Sequence, residues 1–188
     1  MKSHYPSFLV TAPGAKPRAL LDAIRAVENA SAGFCRSWSG NDLASAFSTS
    51  EEAFGYLDHI QNELIRNRDE ASKNADWQTS QYFLALTVNV GDLLQPAKVG
   101  HQTDFEKLTV GQGQMPAGSS TQPLSLNDAL NKLKHRATNL VNFTVSPSGS
   151  HELFIFTTAG MGKPNSISKF DVEKFCKACK FAARALLR

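Results

Sequence analysis

The stretch from Ser125 to Arg136 reads SLNDALNKLKHR, and it combines the apolar spacing of a helix with a cluster of positive charge. Apolar residues recur at positions 126, 129, 130, 133, 137 and 140. Steps of three and four residues place them on one face of an α-helix. Ser125 has the hydroxyl that helix N-caps use. The stretch therefore predicts an amphipathic helix whose apolar face packs against other elements.

Four further segments show helical periodicity or helix-starting residues. The four segments begin near Pro17, Ser48, Asp76 and Ser168, and their apolar residues extend to about 33, 65, 94 and 186. A short helix at 43–47, capped by Ser39 or Asn41, precedes the segment that begins at Ser48. Gly33 and Pro96 are the expected stops of the first and third helices.

Downstream of the opening stretch the periodicity changes. Residues 140–146 and 151–158 are rich in Val, Phe, Ile and Thr, and residues 147–149 between them have the composition of a turn. They predict a β-hairpin.

The predicted fold class is mainly α: a helical bundle of about five helices with one β-hairpin near the C-terminus. Its 188 residues, 41% of them hydrophobic, suffice for one domain over 1–188.

A long irregular loop is predicted at about 95–123, because this stretch contains four glycines and three prolines. Loops of this length are usually mobile or bind a ligand.

The chain has no run of about 18 apolar residues and no secretory signal at its start, so we expect no membrane association and a cytoplasmic protein. The net charge of +3 permits nucleic-acid binding without indicating it.

Three cysteines are an odd number for a disulfide framework, which favours free thiols in a reducing compartment. Cys176 and Cys179 form a CxxC within a predicted helix, but a zinc site needs about four ligands and the sequence offers no second pair. Core thiols are the preferred interpretation, and a metal or redox role remains the alternative. We therefore predict no metal and no cofactor.

The opening stretch also contains the best candidate for chemistry. Asn131 lies one helical turn before His135, and Lys132, Lys134 and Arg136 surround the histidine with positive charge. A histidine can exchange protons near neutral pH, and cations bind phosphate oxygens, so these groups suit metal-free RNA cleavage. The alternative is an asparagine and a histidine on a solvated helix face, or bonded to the following hairpin.

Residues 130–135 resemble the Arg-Asn-x-x-x-His signature of HEPN proteins, with Asn131 and His135 at the last two signature positions. The resemblance implies a small helical bundle, often a dimer, that binds RNA or cleaves it without metal in bacterial toxin, antiphage or RNA-processing systems. Leu130 stands where the family has arginine. For that reason a binding surface is as strong a prediction as an active site.

Two functions are therefore carried forward from the sequence. The first is RNA binding or metal-independent RNA cleavage, with His135 and Asn131 at the site and Lys132, Lys134 and Arg136 as phosphate contacts. The second is a non-catalytic helical module that regulates or binds a partner protein or a second copy of the chain.

Overall fold

The computed structural model describes residues 15–137, 139–160 and 162–187. Within these ranges the chain forms six α-helices, and a short 3-10 turn at Trp77–Thr79 precedes the third. The helices are α1 (Ala15–Ser39), α2 (Leu43–Ala71), α3 (Gln81–Leu86), α4 (Val99–Glu106), α5 (Leu126–Lys134) and α6 (Val172–Ala185). Each of them is too short or too polar to cross a lipid bilayer.

Five strands pair in one antiparallel sheet, in the order β2-β1-β5-β4-β3. The strands are β1 (Asn89–Leu94), β2 (Gln122–Ser125), β3 (Val141–Val145), β4 (His151–Thr157) and β5 (Ser166–Asp171). Strands β1 and β5 lie in the middle, and the predicted hairpin forms one edge. The hairpin prediction is confirmed, but a single hairpin is only part of this sheet.

The predicted fold class, a helical bundle with one hairpin, is wrong. The sheet divides the interior into two hydrophobic cores. The larger core contains buried side chains from α1, α2, α3, α5 and α6, and the smaller one lies on the other face beneath α4 and the segment after it. Phe105 of α4 belongs to the smaller core, so residues within the 95–123 stretch cover one face of the sheet.

The long helix predicted after Asp76 is also wrong, because its second half is the central strand β1. Leu93 points into the larger core and Leu94 into the smaller one. A strand buried on both faces is apolar in every direction, and periodicity cannot distinguish it from a buried helix. At Gly91, an added Cβ would lie 2.0 Å from the carbonyl oxygen of Lys169 in β5, so only glycine fits this pairing.

The last helix starts later than predicted. Ser168, the expected N-cap, is a fully buried residue of β5, and its hydroxyl donates to the carbonyl of Ile155 at 3.3 Å. The cap is Asp171, whose carboxylate accepts from the backbone N–H of Lys174 at 2.8 Å. The serine looked like a cap because its hydroxyl suits one, but here the hydroxyl bonds within the sheet.

The first two helices are longer than predicted. Helix α1 continues through Gly33 to Ser39, and the glycine brings it close to α2, since an added Cβ would lie 3.4 Å from a methyl group of Thr49. Helix α2 is one continuous helix capped by Asp42 rather than by Ser39 or Asn41. The predicted starting point at Ser48 lies inside it.

Replacing Gly91 tests the pairing at the centre of the sheet. We expect Gly91→Ala to lower the free energy of unfolding by about 3 kcal/mol, because the new methyl group meets backbone atoms that cannot move aside. Gly55→Ala, inside α2 with nothing within 4 Å, is the matched control and should raise stability by about 1 kcal/mol. Urea unfolding followed by circular dichroism measures both. Equal effects of the two variants would contradict the close approach of β1 and β5.

Candidate functional site

Helix α5 begins where the opening stretch predicts it, but it ends at Lys134, so Ala137 and Leu140 lie beyond it and Leu140 is buried in the smaller core. Ser125 ends β2 and caps the helix by accepting from the backbone N–H of Asp128 at 3.1 Å, and the serine hydroxyl also donates to the Asp128 carboxylate at 2.7 Å. The face toward the larger core contains four buried residues: Leu126, Ala129, Leu130 and Leu133. Leu130, the residue at which the sequence departs from the signature it resembles, is therefore a core residue.

The C-terminal half of α5 borders an open cleft of about 700 Å³, which we call the α5 cleft. Its other walls come from the ends of β1, β2 and β4 and from the loop that joins β4 to β5. The side chains with useful chemistry in its lining are Asp128, Asn131, Lys132, His135, Thr157 and Lys163. Three of the five residues predicted from the sequence thus share this cleft.

Lys132 is the half-buried cation of the α5 cleft. Its ammonium group donates to the hydroxyl of Ser166, a fully buried residue of β5, at 2.6 Å. Burial lowers the pKa of Lys132 and the nearby Lys163 lowers it further, whereas Asp128 acts in the opposite direction. Among the described residues, neither lysine has a carboxylate within ion-pair distance. The cleft therefore presents two unpaired positive charges.

Two further groups in the cleft have unused hydrogen-bonding capacity. His135 ends α5 as its C-cap and is exposed, and the described part of the chain offers its imidazole no hydrogen-bond partner. The hydroxyl oxygen of Thr157 is buried without a partner in the described residues. A ligand in the cleft can therefore meet an imidazole and two ammonium groups.

Asn131 does not orient His135 in the way the sequence suggested. Its amide nitrogen donates to the carbonyl of Asn127 at 2.9 Å, and its amide oxygen lies 3.5 Å from a guanidinium nitrogen of Arg68. The amide is thus bound to its own helix and to α2, and the imidazole is free to turn. Asn131 still lines the cleft, on the side nearest Arg68.

The other two predicted phosphate contacts lie outside the lining of the cleft. Lys134 is exposed on a different side of α5. Arg136 is mostly buried: its guanidinium pairs with Asp58 at 2.8 Å, donates to the carbonyl of Leu133 and lies 4.1 Å above the ring centre of Phe54. Such contacts fasten the end of α5 to α2.

Sequence reasoning missed Lys163, Thr157 and Arg68 as members of this region. The sequence singled out none of the three as a candidate for the site. Their neighbours in the site are far away along the chain, and no local motif marks such residues. Positive charge without neighbouring acids marks only Lys163, and it does not say which residues meet.

His151 does not join His135 as an acid–base pair. It begins β4, while Thr157 at the end of the same strand lines the cleft, so the two ends are about 20 Å apart at the usual rise of a strand. The His151 imidazole stacks on Phe34 with ring centres 5.0 Å apart and is hydrogen-bonded to the Ser31 hydroxyl at 2.8 Å. Burial lowers its pKa to about 4, although Asp171 nearby raises it.

The three cysteines are buried free thiols. Burial raises the pKa of Cys176 to about 12 and raises that of Cys179 well above its usual range. Both face the larger core from α6. Across the described residues, no group of three or more His, Cys, Asp or Glu side chains is arranged to hold a metal ion.

Comparisons of the chain with protein-family models, with curated proteins and with solved structures found no match. The groups that meet in the α5 cleft are therefore the basis for a functional assignment.

The buried imidazole of His151 predicts acid sensitivity. Its pKa is lower in the folded protein than the ordinary value of 6.5, so the unfolded chain binds the proton more readily. The stability due to the neutral imidazole is complete above pH 6.5 and is lost as the pH falls toward 4. Between pH 7 and pH 5 we expect a loss of about 2 kcal/mol in the free energy of unfolding.

The matched variant for this test is His151→Phe, which keeps an aromatic ring against Phe34 but cannot be protonated. Urea unfolding at several pH values should show a shallower decline for the variant than for the unmodified chain. Parallel declines would mean that other groups are responsible for the acid sensitivity.

Proposed function

We propose that this protein binds RNA through the α5 cleft, with Lys132 and Lys163 as contacts to backbone phosphate. The observation that supports this most directly is the pair of unpaired ammonium groups in one open cleft. Phosphate is the anion that clustered lysines commonly meet in nucleic acids, and such contacts provide affinity without reading sequence.

Local charge is a better guide here than the total. A net charge of +3 is small for a nucleic-acid-binding protein, but the cleft contains two lysines and a histidine against the single carboxylate of Asp128. That carboxylate accepts a hydrogen bond from Ser125, which holds it at the start of α5. Lys132 and His135 lie further along the helix, and Lys163 lies in the loop between β4 and β5.

RNA cleavage without metal is the reaction that the position of His135 favours. An exposed imidazole beside Lys132 can take the proton from a ribose 2′-hydroxyl as its oxygen attacks the adjacent phosphorus. The bond from phosphorus to the 5′-oxygen then breaks, and the imidazolium returns the proton to that oxygen. The lysine ammonium stabilises the charge on the phosphoryl oxygens. The products are a 2′,3′-cyclic phosphate and a 5′-hydroxyl.

The resemblance of Asn131 and His135 to the HEPN signature supports the same substrate class. It suggests a cytoplasmic setting in a bacterial toxin, antiphage or RNA-processing system, and three free thiols suit a reducing compartment. The family fold implied by the resemblance is a helical bundle, whereas this chain has a five-stranded sheet. Support for RNA therefore comes mainly from the cleft.

A non-catalytic interaction module is the second candidate, and one surface of α2 favours it. Leu43, Phe47 and Phe54 lie on one side of the helix and are 56%, 66% and 46% exposed. A second copy of the chain or a partner protein would pack on this apolar stripe. RNA binding in the α5 cleft does not require that contact.

Replacing Lys132 tests RNA binding. We expect Lys132→Met to weaken binding of a fluorescent single-stranded RNA about tenfold, because a charge-assisted hydrogen bond to phosphate is lost. The slope of log affinity against log salt should fall by about one. Lys134→Met is the matched control two residues away, and outside the cleft it should change affinity less than threefold. Equal losses in both variants, or no RNA binding at all, would contradict the proposal.

Replacing His135 tests cleavage separately from binding. With EDTA present, the unmodified chain should cut RNA to products ending in a 2′,3′-cyclic phosphate, and His135→Ala should lose at least a hundredfold in rate. Its RNA affinity should fall much less than that of Lys132→Met. Binding without cleavage by the unmodified chain would leave a binding protein and exclude the reaction.

A further inference from the structure

A second hollow, of about 250 Å³, lies on the other flank of α5 from the α5 cleft. Asn127 in its wall is about 140° around the helix from Lys132, at 100° per residue. The other groups that matter in its lining are two aromatic rings, an arginine and two hydroxyls: Trp77, Phe83, Arg68, Ser72 and Ser125. We call this hollow the aromatic pocket.

The two aromatic rings form a corner that suits a flat ligand. Trp77 and Phe83 are half-buried, with ring centres 5.3 Å apart and planes 77° from each other. Tyr82 supports Trp77 from the core side at 5.9 Å, and the tyrosine hydroxyl donates to the carbonyl of Leu64 at 2.6 Å. A planar heterocycle can stack on one ring while the edge of the other ring meets it.

Arg68 connects the aromatic pocket to the α5 cleft. Its guanidinium donates to the side-chain oxygen of Asn127, in the wall of the pocket, at 2.7 Å, and lies 3.5 Å from the amide oxygen of Asn131, in the wall of the cleft. Those two asparagines are one helical turn apart, or about 6 Å along the axis. The arginine also pairs with Asp69, but that carboxylate is 63% exposed. An exposed pair of this kind is weak, so a phosphate can replace the carboxylate.

We infer that the aromatic pocket holds an unpaired base of the RNA whose backbone lies in the α5 cleft, so that the substrate is single-stranded. This inference rests on the proposed function. Proteins that bind single strands combine a positive groove for the backbone with aromatic side chains on which bases stack. Here the two parts lie on the two flanks of one helix, with Arg68 between them.

The size and polarity of the aromatic pocket fit a base better than a larger ligand. Its volume is just below the roughly 300 Å³ at which drug-sized sites begin, which suits one planar ring system. At its polar wall the amide nitrogen of Asn127 can donate a hydrogen bond, and the hydroxyl oxygen of Ser72, whose proton goes to the carbonyl of Asp69, can accept one. A base in a duplex is paired and stacked, and it cannot enter such a corner without being extruded.

Tryptophan fluorescence gives a direct test, because the chain has only two tryptophans. In a Trp38→Phe variant Trp77 is the sole tryptophan. Single-stranded RNA should quench the tryptophan fluorescence over the concentration range in which fluorescence anisotropy shows binding. An abasic strand of the same length should bind with little quenching. Trp77→Ala should weaken binding of single-stranded RNA about tenfold, from the usual contribution of one stacked base.

Two controls keep the result interpretable. Leu84→Ala changes an exposed residue of the same helix α3 outside the pocket, and it should leave RNA affinity unchanged. Trp38 packs on Phe34 and Phe143, so its replacement alters these contacts. For this reason the unmodified chain is also crosslinked by ultraviolet light to RNA containing 5-bromouridine. Mass spectrometry should find the crosslink at Trp77 or Phe83.

The possible outcomes separate this inference from the proposed function. In one outcome RNA binds and Lys132→Met weakens that binding, but Trp77 shows neither quenching nor crosslinking and Trp77→Ala binds RNA normally. The proposed base site is then wrong, and the proposed phosphate site stands. Equal affinity for duplex and single-stranded RNA would also overturn the base site. If anisotropy detects no RNA binding, the proposed function fails and the base site fails with it.

Discussion

The close approach of β1 and β5 at Gly91 is the contact on which the rest of the architecture depends. These two strands form the middle of the sheet, and their backbones leave no room for a side chain at this position. Their pairing places Leu93 and Leu94 in separate cores, so helices can cover one face while α4 covers the other. Without this pairing, strands β2 and β1 would not be joined to strands β5, β4 and β3, and the two layers would not share one sheet.

The same pairing also creates the α5 cleft. Strand β2 pairs with β1 and leads directly into α5, whereas β4 pairs with β5 and ends in the loop that contains Lys163. The helix and the loop therefore face each other across the ends of the strands. Residues as distant in the chain as Asn131 and Lys163 become neighbours because the central strands fix their elements.

Local patterns predicted the elements whose signal lies in neighbouring residues. The helix after Ser125 has a cap and an apolar stripe, and the hairpin at 140–158 has two β-rich runs around a turn, so both could be located from the sequence. The central strands could not. The β1 stretch places apolar side chains in both cores, as a helix buried on all sides would, and its partner β5 is about 75 residues away along the chain. Nothing local indicates that pairing.

Prediction of the site was limited in the same way. Lys132 and His135 share a cleft because the spacing of three residues on a helix brings them to similar faces. Arg136 has the same formal charge as Lys132, but it forms an ion pair with Asp58, which lies 78 positions earlier in the chain. This ion pair holds Arg136 outside the cleft. Charge clusters in a sequence therefore mark a region, and tertiary contacts decide which members remain available to a ligand.

The cost of keeping the Lys132 ammonium charged in the α5 cleft would favour a negatively charged ligand there. Burial without a carboxylate partner disfavours the charged ammonium, and Lys163 adds repulsion. The Ser166 hydroxyl compensates only in part, since one neutral acceptor cannot replace a counter-charge. An anion bound between the two lysines would offset this repulsion, so its affinity would include the relief of an unfavourable interaction that is already present in the folded protein. A neutral ligand of the same shape would gain none of this energy. Under the proposed function, the cleft would therefore select for negative charge before shape, which is the order of recognition expected where phosphate contacts position a nucleic acid and base contacts specify it.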